Sequence, residues 1–184
     1  MTSKSSETHD LIVRTILILA MIVLSAALRL APHPWNFTPV GAVALFSGAM
    51  LRDRRLAFLF PLLVMFATDV VSGFNKLSPL VYAAFLVSVG IGRFLSQKRN
   101  VGRISTATFL AALQFFVITN FGVWAFLPTF PHTLKGLAAC YLAGIPFFWN
   151  TLAGDAAYTT LLFGGIFLAE RILRLSRVSV ATNR

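Results

Sequence analysis

The stretch that decides the fold is Thr38–Leu51 followed by Arg52-Asp53-Arg54-Arg55. The apolar run has 14 residues, which as a helix rises only about 21 Å, short of the ~30 Å hydrocarbon core of a bilayer. By length alone it reads as a re-entrant segment. The basic cluster argues for a crossing, because Lys and Arg collect on the cytoplasmic side of short loops. Working outward from it gives six spans at about 11–30, 38–51, 56–73, 80–95, 106–127 and 149–169. With the N-terminus inside, thirteen Lys and Arg residues fall on the cytoplasmic side and three, Arg29, Lys76 and Lys135, on the outer side. That bias depends on the doubtful second span, and predicts both termini in the cytoplasm.

Composition supports a membrane protein. The chain has 184 residues, of which 57% are hydrophobic and 12% charged, and a mean hydropathy of +0.79. A soluble domain keeps about a quarter of its residues charged. The net charge of +10 sits in short loops and the tail, a topology signal with contact to membrane lipid rather than a nucleic-acid surface. Cys140 is the single cysteine, so neither an internal disulfide nor a CxxC metal site is possible. No cofactor is indicated.

The expected architecture is an all-α integral membrane protein, a compact bundle of six transmembrane helices in residues 11–173. A disordered cytoplasmic N-terminus (1–10) precedes it and a basic cytoplasmic tail (174–184) follows. Leu11–Leu24 with Ser25-Ala26-Ala27 also has the form of a signal peptide, but an uncleaved first helix suits a polytopic bundle better. Thr38 is the expected N-cap of the second span. Gly136–Phe148 reads as a short apolar helix broken at Pro146. No internal repeat is visible, and Asp69 and Asp155 fall on the same side of the midplane, against inverted symmetry.

Polar residues in distant segments gather at the outer level. Asp69, Asn120, Trp124 and Asp155 fall in outer halves of spans, Asn36 and Asn150 at span ends, and Tyr141 beside an outer loop. Ionisable groups at membrane depth are costly and usually face a cavity, a partner or a pathway. Asn36, Asp69, Asn120, Trp124, Tyr141, Asn150 and Asp155 are therefore the expected substrate-binding residues, with Arg29, His33 and His132 as gate or loop contacts. Plainer roles compete: ion pairing of the aspartates with Arg29 or Lys76, helix capping by the asparagines, and interfacial anchoring by the tryptophan.

Three segments carry a resemblance: Pro34-Trp35-Asn36-Phe37-Thr38-Pro39-Val40-Gly41-Ala42, Thr119–Trp124, and Gly136–Tyr141 through Ile145–Asp155. Together they resemble an uncharacterised family of small bacterial membrane proteins described as candidate transport proteins, carrying a domain-of-unknown-function label. The plan is also similar to the substrate-binding S-components of energy-coupling factor (ECF) vitamin transporters. These resemblances imply a bacterial inner-membrane protein that holds a small vitamin-like or metal-chelate solute in an outward-facing pocket. They also imply a separate ATPase or coupling module, since no GxxxxGK[ST] loop is present. A non-catalytic scaffold is the alternative. An intramembrane enzyme is disfavoured because Leu152-Ala153-Gly154-Asp155 lacks the GxGD of membrane aspartyl proteases, and neither a Ser–His pair nor an HExxH helix is present.

Overall fold

The computed structural model describes residues 36–95 and 99–182 and, before them, 12, 15–16, 18–20, 22–24 and 27–28. The expected N-terminal tail, Arg29 and His33 lie outside these residues. Every regular element among the described residues is helical. The described positions between 12 and 28, all helical (α1), are followed by α2 (Val40–Met50), α3 (Arg54–Ser72), α4 (Ser78–Leu95), α5 (Val101–Phe126) and α6 (Leu134–Thr182).

Four helices, α3 to α6, are long and apolar enough to cross a membrane. Their outward faces explain why the charge content is so low. On α3, Leu56, Leu59, Leu63, Phe66 and Val70 form an exposed stripe at helical spacing, while Ala57, Pro61, Val64, Met65 and Thr68 are buried. A helix apolar on both faces suits a lipid environment rather than water.

The second helix is the centre of the molecule. Its 11 residues rise about 16 Å, half a bilayer. Ten of them are buried, and α2 packs against α3, α4, α5 and α6. A helix that is hydrophobic all round is stable only when enclosed. The closest packing is with α4, where small residues let backbones approach: a methyl added at Gly48 would run into the Val89 carbonyl, and one at Gly92 into that of Leu45.

Both ends of α2 are completed by ionisable side chains from other helices. At its C-terminus, the Arg93 guanidinium of α4 donates to the carbonyls of Leu51 (2.7 Å) and Gly48 (3.4 Å). At its N-terminus, the amide of Ala42 donates to the Asp155 carboxylate of α6 (3.1 Å). The signs match the helix dipole at each end. The expected N-cap, Thr38, does not serve: Pro39 occupies the cap position with no side-chain cap bond, and the acceptor comes from 113 residues away.

Two further boundaries differ from the sequence reading. Leu134–Thr182 is one continuous helix through Pro146, so the expected break is absent. Proline removes one backbone hydrogen bond, which a packed, membrane-embedded helix tolerates. The fifth span begins at Val101 rather than 106, because Asn100 caps it by accepting the Arg103 amide (2.9 Å). A related device supports Pro61 within α3. Proline at 61 leaves the Ala57 carbonyl without its helical donor, and the Ser47 hydroxyl of α2 supplies one (3.0 Å).

Candidate functional site

The N-terminus of α2 stops short of the end of the bundle, and a cavity of about 210 Å³ opens beside it. Phe115 of α5 and Phe85 of α4 line it. Counting at 1.5 Å per residue, Phe115 lies about 16 Å along α5 from Phe126, and Phe85 about 10 Å along α4 from Ser78. The non-helical stretch 36–39 enters at this depth. Irregular backbone at membrane depth is tolerated only where protein buries it or where it borders a water-filled cavity. Asn36 makes the turn possible, as the one non-glycine among the described residues with positive φ (61°), a conformation that asparagine accepts more readily than most.

The lining mixes polar and apolar groups. Asn36, Thr38, Asn75, Thr151 and Asp155 supply amides, hydroxyls and a carboxylate, and Ser88 adds a deeper hydroxyl. Met65, Val81, Phe85, Ala111 and Phe115 make the apolar part, with the two phenyl rings stacked at 5.0 Å. Seven segments contribute: the entry to α2, the first turn of α2 (Val40 and Gly41), the α3–α4 connection, and α3, α4, α5 and α6. Among the described residues that line the cavity there is no Lys, Arg or His.

Asp155 is the pivot of this arrangement. It is 3% exposed and its Oδ1 accepts the Ala42 amide. A methyl on Gly41 would collide with the same carboxylate, so glycine at this point of α2 is what admits it. Thr151 stands one turn earlier on the same face of α6, the i−4 relation that sets two side chains together.

The sequence-predicted residues separate into groups. Asn36 and Asp155 line the cavity; Asp69, Asn120, Trp124, Tyr141 and Asn150 are not among its lining residues. Asp69 is buried and accepts the Tyr82 hydroxyl (2.8 Å), joining α3 to α4. The Tyr141 hydroxyl donates to the Val117 carbonyl (2.8 Å), and the Trp124 indole donates to that of Pro131 (3.0 Å). Asn120 donates to Phe116 in its own helix (2.9 Å), while its carbonyl faces the Cys140 thiol (3.3 Å). His132 stands edge-on to Trp124 at 5.7 Å. These groups tie α5 to α6 and to their connection. Asn150 is half-buried on α6.

The sequence marks Thr38 only as a helix cap, and does not mark Asn75, Ser88 and Thr151 as cavity residues. Thr151 had a signal, its spacing from Asp155. Asn75 and Ser88 reach the cavity only through tertiary packing.

A single family model covers residues 9–177, that of a family of unknown function, DUF6580. The chain belongs to that family. No curated protein matches it, and no solved structure matches it. The match spans α2 to α5, α6 as far as residue 177, and every described residue lining the cavity, without assigning a ligand.

Proposed function

We propose that this protein is a multi-pass membrane transport protein that holds a small solute in the Asn36–Asp155 cavity. All six helices would form the transmembrane bundle, with both termini in the cytoplasm of a bacterial inner membrane. The observation that carries the reading is a buried carboxylate, two amides and three hydroxyls around one cavity at the level where α2 begins. Polar groups within a bilayer carry a desolvation cost, and a bound polar solute is one thing that offsets it.

Chemistry narrows the solute. A volume of 210 Å³ corresponds to about seven waters at roughly 30 Å³ each. That is below the roughly 300–1,000 Å³ typical of drug-sized pockets, so the solute that suits it is smaller than a vitamin or a metal chelate. Among the described residues the polar lining offers a carboxylate and no cation, against a stacked aromatic pair. This favours a neutral hydrogen-bond donor or a small organic cation over an anion. An S-component-like role with a separate coupling module belongs to this proposal, and the similarity of plan is what suggests it.

The test is native mass spectrometry of gently solubilised protein, comparing wild type with Thr151→Val and Asn75→Ala. Both variants alter the lining but leave the Ala42–Asp155 bond in place. A co-purifying small mass that is lost in correctly folded variants supports the proposal. A second reading, a scaffold without solute, is favoured by the engagement of both Asp155 and Asp69 in interhelical hydrogen bonds. An empty wild-type protein whose melting is unmoved by a panel of small amines and polyols would favour it.

A further inference from the structure

Asp155 has two carboxyl oxygens, and only one of them is committed. Oδ1 accepts the Ala42 amide, while Oδ2 has no hydrogen-bond partner and no ion pair among the described residues. Nor is Oδ2 sealed inside protein, because Gln114 Oε1 is the one enclosed side-chain nitrogen or oxygen without a partner among those residues. It opens on the solute cavity, which Asp155 lines. A buried carboxylate is normally paired, and the described lining holds no Lys, Arg or His to pair it.

Two of the lining hydroxyls have their hydrogens committed as well. Thr151, one turn before Asp155 on the same face of α6, donates to the Phe147 carbonyl (2.9 Å). Ser88 donates to the Ala84 carbonyl (3.3 Å) and accepts the Gln114 amide (2.8 Å). Each offers a solute an oxygen lone pair rather than a hydrogen. Asn75 is the counterweight: its Oδ1 accepts the Leu77 amide (2.8 Å), which leaves its NH₂ to donate.

An ammonium group has three N–H donors and no acceptor, which matches Oδ2 and the Thr151 oxygen beside it. Its hydrogen bond to a carboxylate is charge-assisted, roughly twice as strong as a neutral one. The carboxylate then stands between the positive end of α2 and the ammonium, so signs alternate. A polyol donates hydrogens but leaves the carboxylate without a counter-charge. A quaternary ammonium brings the charge without an N–H and needs open aromatic faces, whereas Phe85 and Phe115 stack on each other. A bare metal ion leaves the apolar part of the lining unfilled. Resting on the reading of this cavity as a solute site, we infer that its solute is a small primary amine. It binds as the ammonium through Asp155 Oδ2, with a body that the volume of 210 Å³ limits to about seven heavy atoms at roughly 30 Å³ each.

Isothermal titration calorimetry of the full-length protein in detergent tests the assignment, with ethanolamine, ethylene glycol and tetramethylammonium as probes. Ethanolamine and ethylene glycol are nearly the same size and differ in the ammonium, and tetramethylammonium keeps the charge but has no N–H. Wild type should bind ethanolamine about tenfold or more tightly than either, the difference made by one charge-assisted hydrogen bond. Asp155→Asn keeps an acceptor for the Ala42 amide and should bind ethanolamine about tenfold more weakly, with ethylene glycol unchanged. Ethylene glycol or tetramethylammonium binding as tightly as ethanolamine overturns the primary amine, and so does an ethanolamine affinity that survives Asp155→Asn. The cavity as a solute site outlives all three results. Where Asp155→Asn fails to fold, the probe series on wild type decides alone. Failure of every probe also overturns the inference, and native mass spectrometry then separates the two readings: a co-purifying mass lost in Thr151→Val leaves the solute site standing, while an empty protein removes both.

Discussion

The contact between Gly41 and Asp155 makes a quantitative claim about how α2 is held. Consider Gly41→Ala, Asp155→Ala and the double variant. In the wild type the new methyl at position 41 meets the carboxylate, an overpacking cost of about 1–3 kcal/mol. It is partly offset by the helix preference of alanine over glycine, about 1 kcal/mol. A net loss of about 1 kcal/mol is expected. Asp155→Ala strands the buried Ala42 amide, at about 1–3 kcal/mol, and removes an anion from a helix N-terminus, worth up to about 2 kcal/mol when partly buried. A loss of about 3 kcal/mol follows. In the double variant the methyl meets no carboxylate, so the collision disappears while the helix preference remains. The double variant should be about 2 kcal/mol more stable than the sum of the singles, within the range of coupling between touching residues. Unfolding in mixed detergent micelles, followed by helical circular dichroism, reads each value. Additivity within about 0.5 kcal/mol would mean that Gly41 and Asp155 do not touch, and the cross-helix cap would be wrong.

Other consequences can be checked with the same assay. Asp155→Asn keeps an acceptor for the Ala42 amide and loses only the charge, so it should cost about 1 kcal/mol, clearly less than Asp155→Ala. Ser47→Ala should cost about 1–2 kcal/mol by stranding the Ala57 carbonyl, and much of that loss should vanish on a Pro61→Ala background, where the helical donor returns. If the loss is unchanged there, the link between Ser47 and Pro61 fails. Gly92→Ala drives a methyl at the Leu45 carbonyl and should lower stability by about 1–3 kcal/mol, whereas Gly90→Ala, where an added methyl meets nothing, should be neutral or stabilising. Asn100→Ala should cost about 1 kcal/mol through loss of the α5 cap, and a neutral result would deny the cap its role.

The long apolar helices were legible because bilayer crossing imposes a length and a composition that a sequence cannot disguise. The place of α2 was not. An apolar run of Thr38–Leu51 reads alike whether lipid or protein surrounds it, and only the packing of four helices around it reveals an enclosed strut. Proline misled at Pro146, where the rule against helix interiors is relaxed by the membrane context. Asp155 was recognised from cost alone, since a carboxylate in an apolar run needs a reason. Its reason is partly structural, however, and no local pattern in Pro39-Val40-Gly41-Ala42 shows that the acceptor for the Ala42 amide lies on α6. The aromatic and amide residues Asn120, Trp124 and Tyr141 bond along α5, α6 and their connection. Depth says nothing about direction around a helix axis, and they face the α5–α6 seam.

The two charges that complete α2 have a consequence for biogenesis. Long apolar helices such as α3, α4 and α5 can enter the bilayer one after another as the ribosome delivers them. An 11-residue helix is too short to be threaded in that way, and its N-terminal amide waits for a carboxylate encoded more than a hundred residues later. The centre of the molecule would thus be assembled last, when α6 docks. Nascent chains halted before α6 should show α2 open to protease and to labelling of a cysteine introduced there, with protection arriving only once Asp155 has emerged.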